Sequence, residues 1–434
     1  MTTQALPIPI IGFAPVLTIL WDCPVGSLGG SCIHSGLNKP TSHYREGAAV
    51  LELGDGFFRS DSRPSRDLSV LFASFQQQRR GKSSLALRWL DLMAGCGIRA
   101  LRWGLEAVDS PVLHSVQQLS PELWVNDADV DRAVLLARNL DPLLKKGFSL
   151  KLFHQPAEVL LSRAYLDKYL FDLIDLDCFG CPNALLQPVL QVLTVDGLLL
   201  LASSDGRSPT GHDRTGAIRN LAAAARAHPA SWELALRLQL GVLARQAWLL
   251  GRGVEPLACF SEGRTFRLAV RIKRRLAAEE ESQLGFLARC EACGAQAVQS
   301  MLSLQGWSAC SCSNGSGRWA VSGPLWVGPL QSADVLADLL LLAKQSIVPV
   351  ASSSLQLLQR LQADIGLPVC CWSTAELARR LALPAQPSVL ALVQALRNAG
   401  YEACSSAVMS GQLRTNAPVA ELLKICHGMS RLGR

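Results

Sequence analysis

The chain has 434 residues, of which 49% are hydrophobic and 18% are charged, and its formal net charge is +7. A chain of this length can form two or three domains with their own cores, and this composition excludes a largely disordered protein. The positive charge is compatible with a polyanionic partner, although many proteins without such a partner carry a similar charge. The 14 cysteines are scattered, mostly in apolar runs, and no convincing signal peptide precedes them. This pattern predicts reduced thiols in the cytoplasm rather than a disulfide framework.

Residues 1–42 contain clusters of Gly, Pro and Ser without a clear period, so we expect a poorly ordered extension there. The apolar stretch from Ile8 to Trp21 contains Pro15. It is also shorter than the roughly 18 to 20 apolar residues that a membrane span needs. The sequence therefore predicts no membrane segment in this region.

Short apolar strands alternate with helices after this extension. Strands are predicted at 46–53, 85–94, 123–125, 149–153, 171–176, 197–202, 254–260 and 265–273. Helices are predicted from about residue 63 and at 98–107, 130–140, 183–193 and 231–250. This alternation indicates a mostly parallel sheet that is covered on both faces and ends in an antiparallel strand. The charged stretch 273–281 is predicted to link a domain over 43–275 to a second domain over 276–434.

A glycine turn closes the strand predicted at 85–94, just beyond Asp91. In open α/β sheets, ligands bind beyond the carboxyl ends of the strands, where glycines let the backbone approach the ligand. Gly95 and Gly97 fit such a turn, although an ordinary tight turn has the same pattern. The next strand leads to Asp127, which can accept hydrogen bonds from both ribose hydroxyls or cap the next helix, although Asp129 suits the cap better. No phosphate-binding Lys-Ser/Thr pair follows, which favours a nucleoside such as S-adenosylmethionine over a dinucleotide.

Two carboxylates and an aromatic ring follow the strand that begins at Phe171. Asp175 and Asp177 share one face of this strand because side chains repeat every two residues. A carboxylate and a backbone carbonyl that accept both hydrogens of an exocyclic amine would direct its lone pair at a methyl donor. We assign this contact to Asp177 and the stacking on a flipped base to Phe179. The alternative is that the carboxylates cap the next helix and that Phe179 belongs to the core.

Several stretches between about Glu46 and Ala420 occur together in one known family. They are Glu46-Gly47, Arg66-Asp67-Leu68, Asp91-Leu-Met-Ala-Gly-Cys-Gly97, Val125-Asn-Asp127, Asp175-Leu-Asp-Cys-Phe-Gly180, Gly251-Arg-Gly-Val-Glu-Pro-Leu257 and Gly323-Pro-Leu-Trp-Val-Gly-Pro-Leu330. In this combination they resemble the tRNA guanine-26 N2-dimethyltransferases. The resemblance implies an α/β fold, with a Rossmann-type class I methyltransferase domain that has a mostly parallel seven-stranded sheet. It also implies a C-terminal α+β domain that binds tRNA.

The resemblance implies roles for individual residues as well. The cofactor residues that it implies are Arg66, Asp91, Gly95, Gly97, Asp127 and Gln155. It makes the carbonyl of Cys178 the second acceptor of the amine, although the family usually has Pro at this position. Gln155 stands where the family has an acid near the adenine amine, and we expect it to replace that acid in part. Serines 203 and 204 stand where threonine is usual.

Two cysteine pairs follow the linker. Cys290 and Cys293 have the spacing of a zinc knuckle, whereas Cys310 and Cys312 are separated by a single residue, which is tighter than usual. Members of the family often carry a zinc-ribbon-like insert here, so a structural zinc site is expected. The alternative is four reduced thiols without a metal.

Basic residues follow the acceptor site and could track an RNA backbone, because phosphate contacts position a nucleic acid without reading its sequence. The alternative for each is a solvated surface position. They are Arg207, Arg214, Arg219, Arg226, Arg237, Arg271, Lys273, Arg274 and Arg275.

The sequence thus predicts a cytoplasmic, monomeric methyltransferase that uses S-adenosylmethionine to methylate the exocyclic amine of guanine in tRNA, without a metal in the chemistry. One alternative is a methyltransferase that acts on another nucleobase amine. The other is a tRNA-binding protein that has lost catalysis, for which Cys178 and the missing acid at Gln155 are the support. The large C-terminal domain and the basic balance argue against a small substrate.

Overall fold

The computed structural model describes residues 18–19, 43–80, 85–108, 119–310, 312, 317–346 and 348–432. The strands are β1 Thr18–Ile19, β2 His43–Glu46, β3 Ala49–Glu52, β4 Arg88–Asp91, β5 Glu122–Asn126, β6 Leu150–Phe153, β7 Phe171–Cys178, β8 Leu193–Ser203, β9 Gly253–Glu262, β10 Thr265–Lys273, β11 Leu284–Cys290, β12 Gln296–Ser300, β13 Trp319–Trp326, β14 Trp372–Ser373, β15 Ala403–Ser405 and β16 Gln412–Thr415. The helices are α1 Arg63–Arg80, α2 Ile98–Arg102, α3 Ala133–Lys145, α4 Ala157–Leu166, α5 Asn183–Val192, α6 Arg214–Leu221, α7 Ser231–Leu249, α8 Ala333–Gln345, α9 Ser352–Ala363, α10 Thr374–Arg380, α11 Val389–Asn398 and α12 Val419–Leu432.

The main sheet has the strand order β1-β6-β5-β4-β7-β8-β10-β9. The strands from β1 to β8 in this order pair in parallel, and β10 pairs antiparallel with both β8 and β9. The predicted mostly parallel seven-stranded sheet with a terminal antiparallel strand is therefore confirmed, and β1 adds an eighth, two-residue strand at one edge. The parallel order brings the carboxyl ends of β4, β5, β6 and β7 to one edge of the sheet.

Two hydrophobic layers cover the main sheet, as its nearly continuous apolar strands require. Neighbouring residues on β7 point into different layers: Ile174 packs with α4, α5 and α7, whereas Leu173 packs with α1, α2 and α3. The second layer also takes in α8 and α9, whose buried leucines include Leu336 and Leu358. The helices α8 and α9 thus share a core with the amino-terminal half, and the domain boundary at 275/276 stays a prediction.

The carboxyl-terminal part contains two further sheets. One is antiparallel with the order β12-β11-β13, and the other has the order β14-β16-β15. The helices α11 and α12 form a separate small core with the second of these sheets, centred on Leu392, Leu413 and Leu422. Helices and antiparallel strands in this region agree with the predicted α+β character.

Some predicted elements differ from the structure. The single strand expected at 46–53 is wrong, because Gly47 adopts a left-handed φ of 58° and turns the chain into the hairpin β2–β3. The helix expected at 98–107 is α-helical only to Arg102 and continues as a π-helical turn over Trp103–Ala107. The helices α4 and α6 were not predicted, because both are short, with ten and eight residues, and α6 is largely polar.

The predicted extension and the apolar stretch near the amino terminus lie outside the described residues, except for Thr18–Ile19, which pair in parallel with β6. Every helix in the described part of the chain is too short or too polar to cross a membrane.

Candidate active site

The glycine turn after β4 leaves space for a ligand. Gly95 and Gly97 have φ values of 58° and 78°, a left-handed conformation that favours glycine. A Cβ at Gly95 would meet no atom within 4 Å, so this side of the turn is open. A Cβ at Gly97 would lie 3.0 Å from Leu136 Cδ2, so this glycine lets α2 pack closely against α3. The two glycines therefore have different tasks, and Gly95 is the one that faces free space.

Asp127 stands beside this open turn and is half-buried. Its Oδ2 accepts a hydrogen bond from the Gly95 amide at 2.8 Å, and its Oδ1 accepts one from the Asp129 amide at 3.0 Å. Asp129 itself accepts from the Asp131 amide and caps the following turn, as predicted. Asp127 is thus less free than expected, although each of its carboxylate oxygens can accept a further hydrogen bond.

Asn126 connects three strand ends around the turn. Its Nδ2 donates to the carbonyls of Leu92 and Gln155, at 3.1 and 3.0 Å, and its Oδ1 accepts from the Gln155 amide at 3.3 Å. The backbone of Gln155 is fixed in this way, and its side chain is half-buried. Asn126 is a positioning residue that was quoted as part of a motif but given no role at the sequence level.

Asp91 lies beneath the turn and is 1% exposed. Its Oδ2 accepts from the Ala100 amide at 3.3 Å, in the first turn of α2. Burial, together with the nearby carboxylate of Asp175, raises the pKa of Asp91 to about 8. Asp91 stabilises the turn from below, and its role as a direct cofactor contact stays a prediction.

The predicted acceptor residue Asp177 lies at the same sheet edge and is held by two arginines. Arg99 Nη2 donates to Asp177 Oδ2 at 2.7 Å, and Arg267 Nη1 donates to the same oxygen at 3.3 Å. Arg99 also pairs with Asp175, with 3.5 Å between Nη1 and Oδ2, so the two carboxylates do share one strand face. Residue Pro182, not either aspartate, stands at the N-cap of α5. The helix-cap alternative for these carboxylates is therefore wrong.

The electrostatics of the two aspartates differ. Burial raises the pKa of Asp175 to about 6, against the opposing effect of Arg99. Burial alone would also raise the pKa of Asp177, but Arg267 and Arg99 outweigh it and hold this pKa well below its ordinary value. Asp177 is consequently a carboxylate at every pH at which the protein would work.

Phe179 projects from the loop after β7 and is 74% exposed, so it does not belong to the core. Its ring packs edge-to-face on Phe57, which is 67% exposed, with 5.3 Å between the ring centroids. Two aromatic rings that remain in solvent near a half-buried carboxylate are available to stack on a planar ligand. Phe57 was not singled out at the sequence level, because its partner is more than 100 positions away in the chain.

Arg66, predicted to lie near the cofactor, is buried and engaged by protein groups. Its Nε and Nη2 donate to the Glu46 carboxylate at 2.8 and 2.6 Å, and its Nη1 donates to the Arg59 carbonyl at 3.0 Å. Arg102, one turn along α2 from the glycine loop, donates from Nη1 to Glu46 Oε1 at 2.7 Å, the oxygen that also accepts from Arg66 Nε. Arg66 therefore ties α1 to the β2–β3 hairpin, and its contact with a cofactor stays a prediction.

This chain is similar in sequence to known proteins. The model of the N2,N2-dimethylguanosine tRNA methyltransferase family matches residues 41–427. The chain belongs to this family. It is 26% identical over 387 residues to the tRNA (guanine(26)-N(2))-dimethyltransferase of Thermococcus kodakarensis, which covers 83% of this chain and 90% of that protein. It is 25% identical over 344 residues to the protein of the same description from Pyrococcus abyssi, which covers 76% and 83%. The family resemblance predicted from the motifs is confirmed.

A solved structure of this family shares the fold. The Trm1 of Pyrococcus horikoshii, in complex with S-adenosyl-L-methionine, matches with a TM-score of 0.73 at 21% identity. The match covers 88% of this chain and 99% of that chain, so the likeness includes the carboxyl-terminal elements as well as the main sheet.

The four predicted metal-ligand cysteines converge in the structure. The sulfur atoms of Cys290, Cys293, Cys310 and Cys312 all lie within 4.8 Å of one another. The amides of Cys293 and Ala295 donate to the thiols of Cys290 and Cys293 at 3.5 and 3.4 Å. Both contacts lie in the turn between β11 and β12. A Cβ at Gly317 would lie 2.4 Å from Cys290 Sγ, so the chain leaves only enough room there for glycine.

The basic residues fall into three groups by burial, and Lys273, which is half-buried and pairs with Asp196 at 2.8 Å, is the intermediate case. Arg237 and Arg271 are 3% and 4% exposed, and they pair with Glu233 and Glu255, so their predicted contact with an RNA backbone is wrong. Arg237 also donates to the carbonyl of Gly328 at 2.8 Å. The exposed members of the predicted set are Arg207, Arg214, Arg219, Arg226, Arg274 and Arg275.

Arg99 and Arg267 are the functional residues that the sequence reasoning missed. Arg99 lies two residues beyond the quoted glycine-turn motif and was given no role, and Arg267 lies 90 positions from Asp177. One signal was available, because two carboxylates at the end of a buried strand require cationic partners. That rule demands a partner but does not say which arginine supplies it.

Proposed function

We propose that this protein transfers methyl groups from S-adenosylmethionine to the exocyclic amine of guanine 26 in tRNA, one methyl and then a second. The observation that carries the proposal is the position of Asp177. This ionised carboxylate accepts a hydrogen bond from Arg99, in the first turn of the helix that follows the glycine turn, and stands two residues before the exposed ring of Phe179, at the sheet edge where ligands bind in α/β folds. Family membership and the names of the relatives support the same reaction.

The residues around the open turn fit a nucleoside cofactor. The space beside Gly95 admits a ligand close to the backbone, and Asp127 and Gln155 lie at its rim with polar groups for a ribose and an adenine. Bound there, S-adenosylmethionine would supply an electrophilic methyl group on a sulfonium. Because that methyl is already activated, the protein mainly has to hold the two reactants in line.

The amine of guanine is a weak nucleophile because its lone pair is delocalised into the ring. Asp177 would accept one amine hydrogen, and the carbonyl of Cys178 would accept the other. Both contacts draw the lone pair out of the ring and aim it at the methyl group. The N–C bond would form as the C–S bond breaks, with the sulfur keeping that electron pair, and the amine would then lose a proton to water.

Phe179 would stack on the flipped guanine, with Phe57 supporting its edge. The exposed arginines from Arg207 to Arg226 follow the strand next to β7 and would contact phosphates of the tRNA. We propose that these contacts extend to the carboxyl-terminal domain over 276–434.

We also propose that the four-cysteine cluster holds a structural zinc ion. In a tetrahedral zinc site with bonds of about 2.3 Å, the sulfur atoms lie about 3.8 Å apart. The separations in this cluster, 3.6 Å between the sulfurs of Cys293 and Cys310 and at most 4.8 Å overall, are close to that value. The ion would have no part in methyl transfer, because Cys290 ends β11, which belongs to a different sheet from Asp177, and the other three cysteines lie in the loops that follow β11 and β12.

We further propose a monomer in the cytoplasm. The cofactor and amine residues all come from one chain, so a second copy is not required to complete the site. The described cysteines are free thiols, as in a reducing compartment. Light scattering of the purified protein tests the monomer, and a dimer mass would contradict it.

The function is tested with two tRNA transcripts that differ only in having guanine or adenine at position 26. Each is incubated with the protein and S-adenosylmethionine, and the digested nucleosides are analysed by mass spectrometry. Dimethylguanosine from the guanine transcript alone is the expected result. Methylation of a different nucleoside would point to another nucleobase amine, and intact tRNA binding without methylation would point to a protein that has lost catalysis.

The matched variant is Asp177→Asn, which keeps the shape of the side chain but removes its charge. We expect methylation to fall by about 100-fold or more while cofactor binding persists. Asp129→Asn, at an exposed cap where either residue is suitable, is the control and should retain activity.

A further inference from the structure

The side chain of Asp177 has one covered oxygen and one open oxygen. Arg99 and Arg267 both donate to Oδ2, at 2.7 and 3.3 Å. Within the described part of the chain, Oδ1 accepts no protein hydrogen bond. The two guanidinium groups come from β10 and from α2, the helix that follows β4, and in the sheet β4 and β10 lie on opposite sides of β7. Two guanidinium groups from different elements therefore bind the same carboxylate oxygen and leave the other oxygen open.

Both arginines are themselves fixed by a second carboxylate. Arg99 pairs with Asp175 at 3.5 Å, and Arg267 Nε donates to Glu262 Oε2 at 2.7 Å. The other oxygen of Glu262 accepts from the Ser65 amide at 2.8 Å, at the start of α1. These contacts restrict rotation of Asp177 through groups on α1, α2, β7, β9 and β10. A fixed, ionised acceptor can receive a hydrogen bond but does not take up the proton.

We propose that Arg99 and Arg267 are positioning residues that aim Asp177 Oδ1 at the substrate amine and so permit the second methyl transfer. This inference rests on the proposed function. It holds that the two arginines determine whether the guanine amine receives one methyl group or two.

The reason lies in the number of amine hydrogens. Before the first transfer the amine has two N–H groups, which Asp177 and the Cys178 carbonyl can both accept. After it, the nitrogen carries a methyl and a single N–H, because one proton has left to water. One hydrogen bond must then orient the lone pair. Hydrogen bonds to ionised acceptors are roughly twice as strong as neutral ones, so Asp177 and not the carbonyl would supply it.

The charges around Asp177 predict how this control depends on pH. The groups that face it are Asp91 on β4, Arg99 on α2, Asp175 on β7 and Arg267 on β10, with Glu262 behind Arg267. Without Arg267, a single guanidinium would face the three aspartates. The pKa of Asp177 would rise, and its neutral form would appear at acid pH.

The test compares Arg267→Gln with Arg271→Gln. Arg271 lies on the same strand and also loses a buried ion pair, with Glu255 at 2.9 Å, but it contacts no residue of the site. Single-turnover rate constants for the first and second transfers are measured on the guanine-26 transcript at acid and alkaline pH. Cofactor binding is measured by calorimetry to show that each variant is folded. Arg267→Lys, which keeps the charge, is included as the conservative variant.

For Arg267→Gln we expect the rate constant of the second transfer to fall by a factor about tenfold larger than that of the first transfer. This difference between the two transfers should be greater at acid pH than at alkaline pH. Arg267→Lys should retain more of the second transfer, and Arg271→Gln should keep the wild-type ratio of rate constants. Equal losses in both transfers at every pH would overturn the inference, and so would the same bias in Arg271→Gln.

If Arg267→Gln does not bind the cofactor, Glu262→Gln replaces it, because this change leaves Arg267 in place but removes the carboxylate that fixes it. A bias against the second transfer supports the inference, and an unchanged ratio overturns it. A wild-type protein that forms no methylguanosine overturns the proposed function instead, and this is seen before any variant is compared.

Discussion

Ser204 and Gly180 are joined by two reciprocal hydrogen bonds. The Gly180 amide donates to Ser204 Oγ at 2.6 Å, and the Ser204 amide donates back to the Gly180 carbonyl at 3.0 Å. The hydroxyl of Ser203 donates to the same carbonyl at 3.1 Å. The loop that carries Cys178 and Phe179 is thus fastened to the end of β8. The serines replace threonine with the same chemical group, a hydroxyl.

Ser204→Ala is expected to lower the methylation rate by about 10- to 100-fold. The loop loses the hydrogen bond from the Gly180 amide to Ser204 Oγ, and a displacement of about 1 Å is enough to slow a reaction that depends on alignment by this factor. Cofactor affinity should not change, and Ser204→Thr should retain activity. Ser162→Ala, which removes a hydroxyl contact on the exposed face of α4, is the control. A rate for Ser204→Ala equal to that of the control would show that the fastening has no catalytic value.

Phe179→Ala is expected to weaken tRNA methylation without affecting the fold. Stacking of a base on an aromatic side chain contributes about 1–3 kcal/mol, and the ring is mostly exposed, so the free energy of unfolding should change by less than about 0.5 kcal/mol. Phe179→Tyr keeps the ring and should keep the activity. The measurements are KM for tRNA and thermal unfolding. An alanine variant with unchanged kinetics would contradict the stacking role.

Asp91→Asn tests the buried carboxylate beneath the turn. The pKa of Asp91 in the folded protein, about 8, lies above its ordinary value of 3.8, so folding favours the protonated form. Its contribution to the free energy of unfolding is therefore greatest below pH 3.8, falls as the pH rises and is fully lost above about 8. At alkaline pH the free energy of unfolding of the variant should exceed that of the wild type by about 1–3 kcal/mol. At acid pH this difference should be smaller.

Denaturant unfolding of both proteins on either side of neutral pH measures this difference. Asp129→Asn, at an exposed cap, should show no pH-dependent gain. A constant difference between Asp91→Asn and the wild type at all pH values would mean that the carboxylate titrates normally in the folded protein.

The alternation of apolar strands and helices was sufficient to predict the main sheet, because most positions of its strands are apolar and buried in one of the two hydrophobic layers. Asp91, Asp127 and Asp177 were singled out near the strand ends for the same reason, since carboxylates interrupt an apolar run there, although the strand predicted at 85–94 is only Arg88–Asp91 in the structure. The pairing of Asp177 with Arg99 and Arg267 could not be predicted, because it depends on which side chains the strand order β7-β8-β10 brings together. The burial of Arg237 likewise depends on Glu233 and on carbonyls about 90 positions away.

Two contacts join the cysteine cluster to the helix α10. Arg380 Nη1 donates to the Ala292 carbonyl at 2.5 Å, within the knuckle between Cys290 and Cys293, and Arg289 pairs with Glu376 at 2.7 Å. Both contacts fasten α10 to the knuckle. A metal ion that orders the knuckle would therefore also order the carboxyl-terminal elements that follow β14.

Cys293→Ser is expected to lower the zinc content from about one ion per chain to well below it, and to lower the thermal midpoint. The affinity for tRNA should fall, whereas the affinity for S-adenosylmethionine should persist, because its proposed site lies on the main sheet. Cys426→Ser changes a buried thiol outside the cluster and should keep the metal. Metal analysis and calorimetry provide the measurements. Wild-type protein without zinc, or a Cys293→Ser protein with full tRNA affinity, would contradict a structural metal that positions the carboxyl-terminal domain.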